Sequence, residues 1–206
     1  MSSSPACTCA SCPTHPRARL ARCEVYPASA TTDAQWAVIA PLLPTAAIID
    51  SQSVRAADTV AAHSRGYDAG KRVAGRKRHI AVDTGGLVLA VLVTVASIQD
   101  RDGGLRLIDR LVQRACTVGL IWADAGYAGR LVLFAARVWH VTVAVVRRAD
   151  DQVGFKVLHR RWVVERTFAW ISKHCRCVRD YERRIDTSEA MIHTAMIMTM
   201  SHRLAR

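Results

Sequence analysis

The sequence predicts an α/β fold, a mixed sheet flanked by helices, and three observations carry that reading. Short β-branched apolar runs alternate along the chain with longer stretches of helical period. Two of the runs are joined by Asp83-Thr84-Gly85-Gly86, a hairpin turn, whereas later runs are separated by helices, so the sheet must have antiparallel and parallel parts. Half of the 206 residues are hydrophobic, enough for one sizeable core.

The elements follow in order. Residues 1–30 show no hydrophobic period and carry Pro5, Pro13, Pro16 and Pro27, which predicts a disordered leader. Its Cys7, Cys9, Cys12 and Cys23 lack the second paired half of a zinc site. In residues 31–46, Thr32-Asp33 caps a short helix whose Trp36, Ile39, Ala40 and Leu43 share one face before Pro44 stops it. Residues 47–206 then read as one domain: strand 48–54, hairpin strands 78–82 and 87–95, helix 102–117, strand 119–123, helix 130–139, strand 141–146, a long helix 159–181 and a last helix 187–204. That is the element order of the ribonuclease H-like fold.

Charge narrows the partners. The formal net charge is +12, so the surface should attract polyanions, and only four of the 29 basic residues are lysines. The densest basic run, Lys71 to His79, includes Arg72, Arg76, Lys77 and Arg78 and is expected to contact DNA phosphate. A solvated loop explains the same run equally well. The longest apolar run, residues 87–96, is about half of the roughly 20 residues a bilayer span needs, so a cytoplasmic, nucleoid-associated protein with no membrane contact is expected.

Two carboxylates occupy places where α/β sheets gather chemistry. Asp50 in IIDSQSV and Asp124 in WADAGYAG each end an apolar run, at the strand ends from which side chains can leave a core without disrupting it. A third candidate, Glu165 in RRWVVERTFAW, sits one position, about 100 degrees, round from the apolar stripe of Val164, Phe168, Ile171, Cys175 and Val178. Singly, each has a plainer explanation: turn or cap for the aspartates, and an ion pair with Arg161 four residues earlier for Glu165. Together, three converging carboxylates repel unless a hard divalent ion shares them, and two such ions activate and stabilise the oxygens of a phosphodiester displacement.

Other signals weigh less. Asp83-Thr84-Gly85 matches the aspartic-protease tripeptide, but a hairpin turn accounts for it. Trp122 and Trp162 could stack on bases, although aromatics in such positions more often pack in the core. His174 with Cys175 and Cys177 resembles a metal cluster only loosely.

The three acidic blocks, in this order, resemble those of bacterial insertion-sequence DDE transposases, in the broad group of insertion elements four and five, over residues 47–184. The resemblance implies a ribonuclease H-like DDE catalytic domain, with Asp50, Asp124 and Glu165 as catalytic residues holding Mg²⁺ or Mn²⁺, two ions. It also implies cleavage at element ends and attack of the freed 3′-hydroxyl on target DNA. The partners implied are double-stranded terminal inverted repeats, target DNA and a second copy of the chain in a DNA-bound homodimer. Phosphate contacts would come from Arg161, Arg166 and Lys173.

The wider pattern places a Tyr three residues before the Arg and a Lys seven after the Glu, where this chain has Leu158 and Ser172, with Lys173 next door. TTDAQWAVIAPLLP resembles the opening of the group's helical N-terminal domain, yet it leads directly into the first acidic strand. The expectation is therefore a transposase with an internal deletion and impaired end recognition. The rival is a non-catalytic DNA-binding remnant that interferes with full-length relatives.

Overall fold

A computed structural model describes residues 43–146 and 159–205. The leader, and nearly all of the short helix expected after it, lie outside those residues. Six strands form one sheet. β1 (Ala46–Arg55) lies at its centre, antiparallel to β3 (Val73–Val82) on one side and parallel to β5 (Leu120–Ala123) on the other. β4 (Val88–Val95) pairs antiparallel with β3, and β6 (Thr142–Val145) pairs parallel with β5. The strand order β4-β3-β1-β5-β6 is that of the ribonuclease H-like fold, as the sequence predicts.

A short strand, β2 (Gly66–Asp68), continues the line of β4 along the same edge of β3, since Gly75 faces Arg55 on one side and Gly66 on the other. Three residues carry no period, so the sequence gives no sign of it. Gly75 is required here because a Cβ would stand 2.0 Å from the Val54 carbonyl oxygen.

Alternation along the strands divides the core into two layers. On one face Ala47, Ile49, Ala81, Leu92 and Ile121 pack against Leu107, Ile108 and Leu111 of α1 (Asp100–Arg114) and Leu131 of α2 (Arg130–Phe134). On the other, Ile48, Ile80, Val82, Val91 and Val93 pack against Val164, Phe168 and Ile171 of α3 (His159–Ser172) and Ile192 and Met196 of α5 (Ile185–Leu204). At about 25 cal/mol per Å² of apolar area, burial in these layers is the main source of stability. None of the described helices is long and apolar enough to cross a membrane.

Alternation also splits the basic run, which corrects the expectation that Arg76, Lys77 and Arg78 contact DNA. All three are buried. Arg76 donates to the carbonyls of Ser64 and Glu182 and pairs with Asp180 at 3.3 Å. Arg78 donates to the Cys177 carbonyl, while Lys77, on the opposite face, donates to the Ile98 carbonyl and pairs with Asp68 and Asp100. These cations hold the fold together.

The same contacts break the expected long helix. α3 stops at Ser172, His174 is extended (φ −86°, ψ 120°), and a single turn, α4 (Cys175–Val178), follows. Past the break the helical phase changes: Cys177 is buried, whereas Cys175 and Val178, expected on the core stripe, are exposed. Trp162 is also exposed at 45% and lies under the Arg166 guanidinium rather than in the core.

The outer edge of β4 is covered by side chains. The Val93 N–H donates to Glu189 of α5 at 2.9 Å, and Arg110 of α1 donates to the Val91 carbonyl at 2.8 Å. Arg110 and Glu189 pair with each other at 2.8 Å, joining the two helical layers round the edge.

Candidate active site

The parallel pairing of β1 with β5 positions the first two carboxylates. Ile48 stands opposite Trp122, and two residues further along the two chains come Asp50 and Asp124. Adjacent strands lie about 4.8 Å apart, so the two side chains leave the sheet beside each other. Asp124 follows directly after β5, where it accepts the Gly126 N–H at 2.9 Å and caps a tight turn, Ala125–Tyr127. Asp50 accepts the Ser51 N–H at 2.7 Å.

Asp50 is half-buried. Burial, reinforced by the charge of Asp124, pushes its carboxyl up to about 6, against the Ser51 N–H and the charges of Arg161 and Lys71. Lys71 reaches this place by donating from Nζ to the Ser51 carbonyl at 3.1 Å. The Asp83 carboxylate, by contrast, accepts the N–H groups of Gly85 and Leu87 and serves the hairpin turn.

α3 crosses above β1 and β5, with Val164 buried against Ile48 and Trp122. Glu165 is the next residue. Its side chain is 56% exposed and lies 3.8 Å from Arg161, the residue whose charge also reaches Asp50. The structure therefore brings Asp50 and Asp124 together and sets Glu165 on the overlying helix, paired with Arg161. Among the described residues, no three His, Cys, Asp or Glu side chains stand close enough to hold a metal ion.

Two neighbours of the aspartates, Asp100 and Tyr127, escape sequence reasoning. Asp100, the first residue of α1, accepts the Ser51 hydroxyl at 2.7 Å and pairs with Lys77 at 2.9 Å. Burial pushes its carboxyl up, but the Ser51 and Lys77 contacts outweigh that and hold it below the usual range. Tyr127 is fully buried, and burial together with the charges of Asp50, Asp100 and Asp124 pushes its hydroxyl well above the ordinary value. Its ring comes close to α1 because residue 104 is glycine; a Cβ there would stand 2.8 Å from the ring. The alternation of β3 would have turned Lys77 towards this face, but nothing local ties Asp100 or Tyr127 to Asp50.

The remaining basic candidates divide. Arg166 lies between the rings of Trp162 and Trp170, at 4.6 and 4.7 Å, and donates to the Gly85 carbonyl, so it braces α3 against the hairpin turn. Lys173 is exposed in a recess with Trp170 and His174. Arg72 lies in a cleft away from Lys71.

The molecule is thus an α/β domain that sets Asp124, just past the end of β5, beside Asp50, which lies midway along the parallel strand β1 and not at the strand end the sequence suggests. Residues 41–201 match the Transposase DDE domain, and the chain belongs to that family. It is 31% identical, over 125 residues, to the protein named "Putative transposase for insertion sequence element IS402" of Burkholderia cepacia, a match covering 57% of this chain. The match covers 59% of that relative, so the chain spans about three fifths of its length. Among solved structures, the HTLV-2 integrase catalytic core domain, described in complex with magnesium and in a dimeric form, aligns with a TM-score of 0.45 and 15% identity, covering 75% of this chain and 86% of that one.

Proposed function

We propose that the chain is a transposase that cuts DNA strands at the ends of an insertion sequence and joins them to target DNA, with Asp50, Asp124 and Glu165 as its catalytic residues. The observation that carries this is the placing of Asp50 beside Asp124 by strand register, in a chain of the Transposase DDE domain family. The donor set has the chemistry a hard divalent ion takes, since Asp50 and Asp124 offer carboxylate oxygens side by side, with Glu165 on the overlying helix outside their cluster. Asp50, Asp124 and Glu165 would hold Mg²⁺ or Mn²⁺, two ions, which would polarise the scissile phosphate and the attacking oxygen.

The chain's own groups do the rest. Lys71 and Arg161 put positive charge beside the acids, where a phosphodiester would otherwise be repelled. Ser51 orients both Asp50, through its N–H, and Asp100, through its hydroxyl. Tyr127 closes the floor and excludes water. The partners on this reading are element ends, target DNA and a second copy of the chain, on nucleoid DNA in the cytoplasm. The motif order in residues 31–46 supports an internal deletion that impairs end recognition.

One observation favours the rival, a DNA-binding remnant without activity: Glu165 is paired with Arg161 and shares no cluster with the two aspartates. A plasmid assay separates the readings. Supercoiled DNA with Mg²⁺ should be nicked by the protein, with nicking abolished by EDTA and reduced about 100-fold or more in Asp124→Ala. Equal background from both proteins would establish the remnant.

A further inference from the structure

β1 extends well beyond the acids. From Asp50 it runs five residues to Arg55, about 17 Å at roughly 3.3 Å per residue. There it enters a cleft of about 480 Å³. Arg55 comes from β1, Arg65 and Tyr67 from around β2, Arg72 from the turn into β3, and Arg179 from beyond α4; Asp58 is the one acid among the described lining residues. Four guanidiniums against one carboxylate leave a strong positive surplus.

The cations are not consumed by the fold. Arg65 lies 3.8 Å from Asp58, whose side chain is fully exposed, a weak surface pair. Arg179 donates from one nitrogen to the Ala56 carbonyl. Arg55 and Arg72 make no side-chain hydrogen bond or ion pair among the described residues. Between them the Tyr67 ring is 56% exposed.

The turn that carries Arg72 links the cleft to the acids. Asp68 accepts the Lys71 N–H at 3.0 Å and fixes the turn. Lys71 then reaches Ser51 beside Asp50, while Arg72, at φ 52°, is turned to the cleft. A left-handed arginine is uncommon and costs about 1 kcal/mol, so this pair of directions is built in. One turn thus serves both places.

We propose that this cleft binds the backbone of an unpaired DNA strand, with Tyr67 stacked on one of its bases. The inference rests on the reading that the chain acts on DNA. Arginine forks match phosphate oxygens, and an exposed aromatic among them is the usual platform for a base without a partner. The cleft is of the size that holds one small molecule, hence a nucleotide or two, and not a double helix. At the duplex rise of about 3.4 Å per nucleotide, the shortest spacing a strand takes, the bound segment lies at most about five nucleotides from a phosphate placed at Asp50.

Fluorescence anisotropy in EDTA, where no strand is cut, tests this with three labelled probes: a blunt duplex, the same duplex with a five-nucleotide single-stranded tail, and a single strand. The wild type should prefer the tailed duplex to the blunt one by about tenfold. Tyr67→Ala should abolish that preference, and Arg55→Glu should weaken tailed and single-stranded binding by tenfold or more while lowering the salt slope by about 0.7. Both positions are on the surface, so melting temperatures should stay unchanged; if Arg55→Glu unfolds, Tyr67→Ala decides. A wild type that binds DNA with no tail preference, or variants that bind the tailed probe like the wild type, overturns the cleft alone. A wild type that binds none of the probes overturns the DNA reading and the cleft with it.

Discussion

Asp50 and Arg76 show how far a residue's type fails to fix its role. An Asp at the end of an apolar run is legible as a candidate, and strand register then supplies its neighbour. Its pKa has a thermodynamic consequence. A carboxyl held at about 6 in the fold and 3.8 otherwise binds its proton more tightly when folded. The metal-free protein should therefore be most stable, as far as this group decides, below about pH 4 and lose stability as the pH rises to about 6, by up to about 3 kcal/mol. Thermal melts in EDTA should show that slope, and Asp50→Asn should flatten it and melt higher at pH 7. Arg76, read from sequence as a DNA contact, is fully buried against Asp180. Arg76→Ala should cost about 3–5 kcal/mol in urea unfolding, because it strands a buried carboxylate.

At the scale of elements, the apolar runs and the Asp83-to-Gly86 turn made the central strands and their hairpin readable. Two elements were not. β2 is too short to carry a period, and the end of α3 is set by distant guanidiniums that need the carbonyls of residues 177–184. Helical period alone cannot report such a demand, since the acceptors are chosen by tertiary packing. The second turn of α1 is equally dependent on its partner. Gly104→Ala would press on the Tyr127 ring, cost about 1–3 kcal/mol, and displace the ring from beneath the aspartates. Calorimetry gives the first effect; a loss of nicking out of proportion to it gives the second.

Over the whole molecule, the element order was sufficient to indicate the mixed sheet, and the surplus of +12 its affinity for polyanions. Which cations supply that affinity was not readable, because alternation hides three of the densest run and leaves scattered arginines outside. Binding to any duplex should accordingly weaken about 100-fold or more between roughly 50 and 200 mM salt, with Arg76 and Arg78 making no contribution. The measurement is a salt titration of anisotropy.

The pair of Arg110 and Glu189 has a meaning for the protein's company. An uncovered strand margin is an invitation to its own kind, and here two side chains act as a counterfeit neighbour, offering Val91 and Val93 the donor and acceptor that another copy would bring. Glu189→Ala with Arg110→Ala should let molecules stack margin to margin, and light scattering would record growth with concentration that the natural chain does not show.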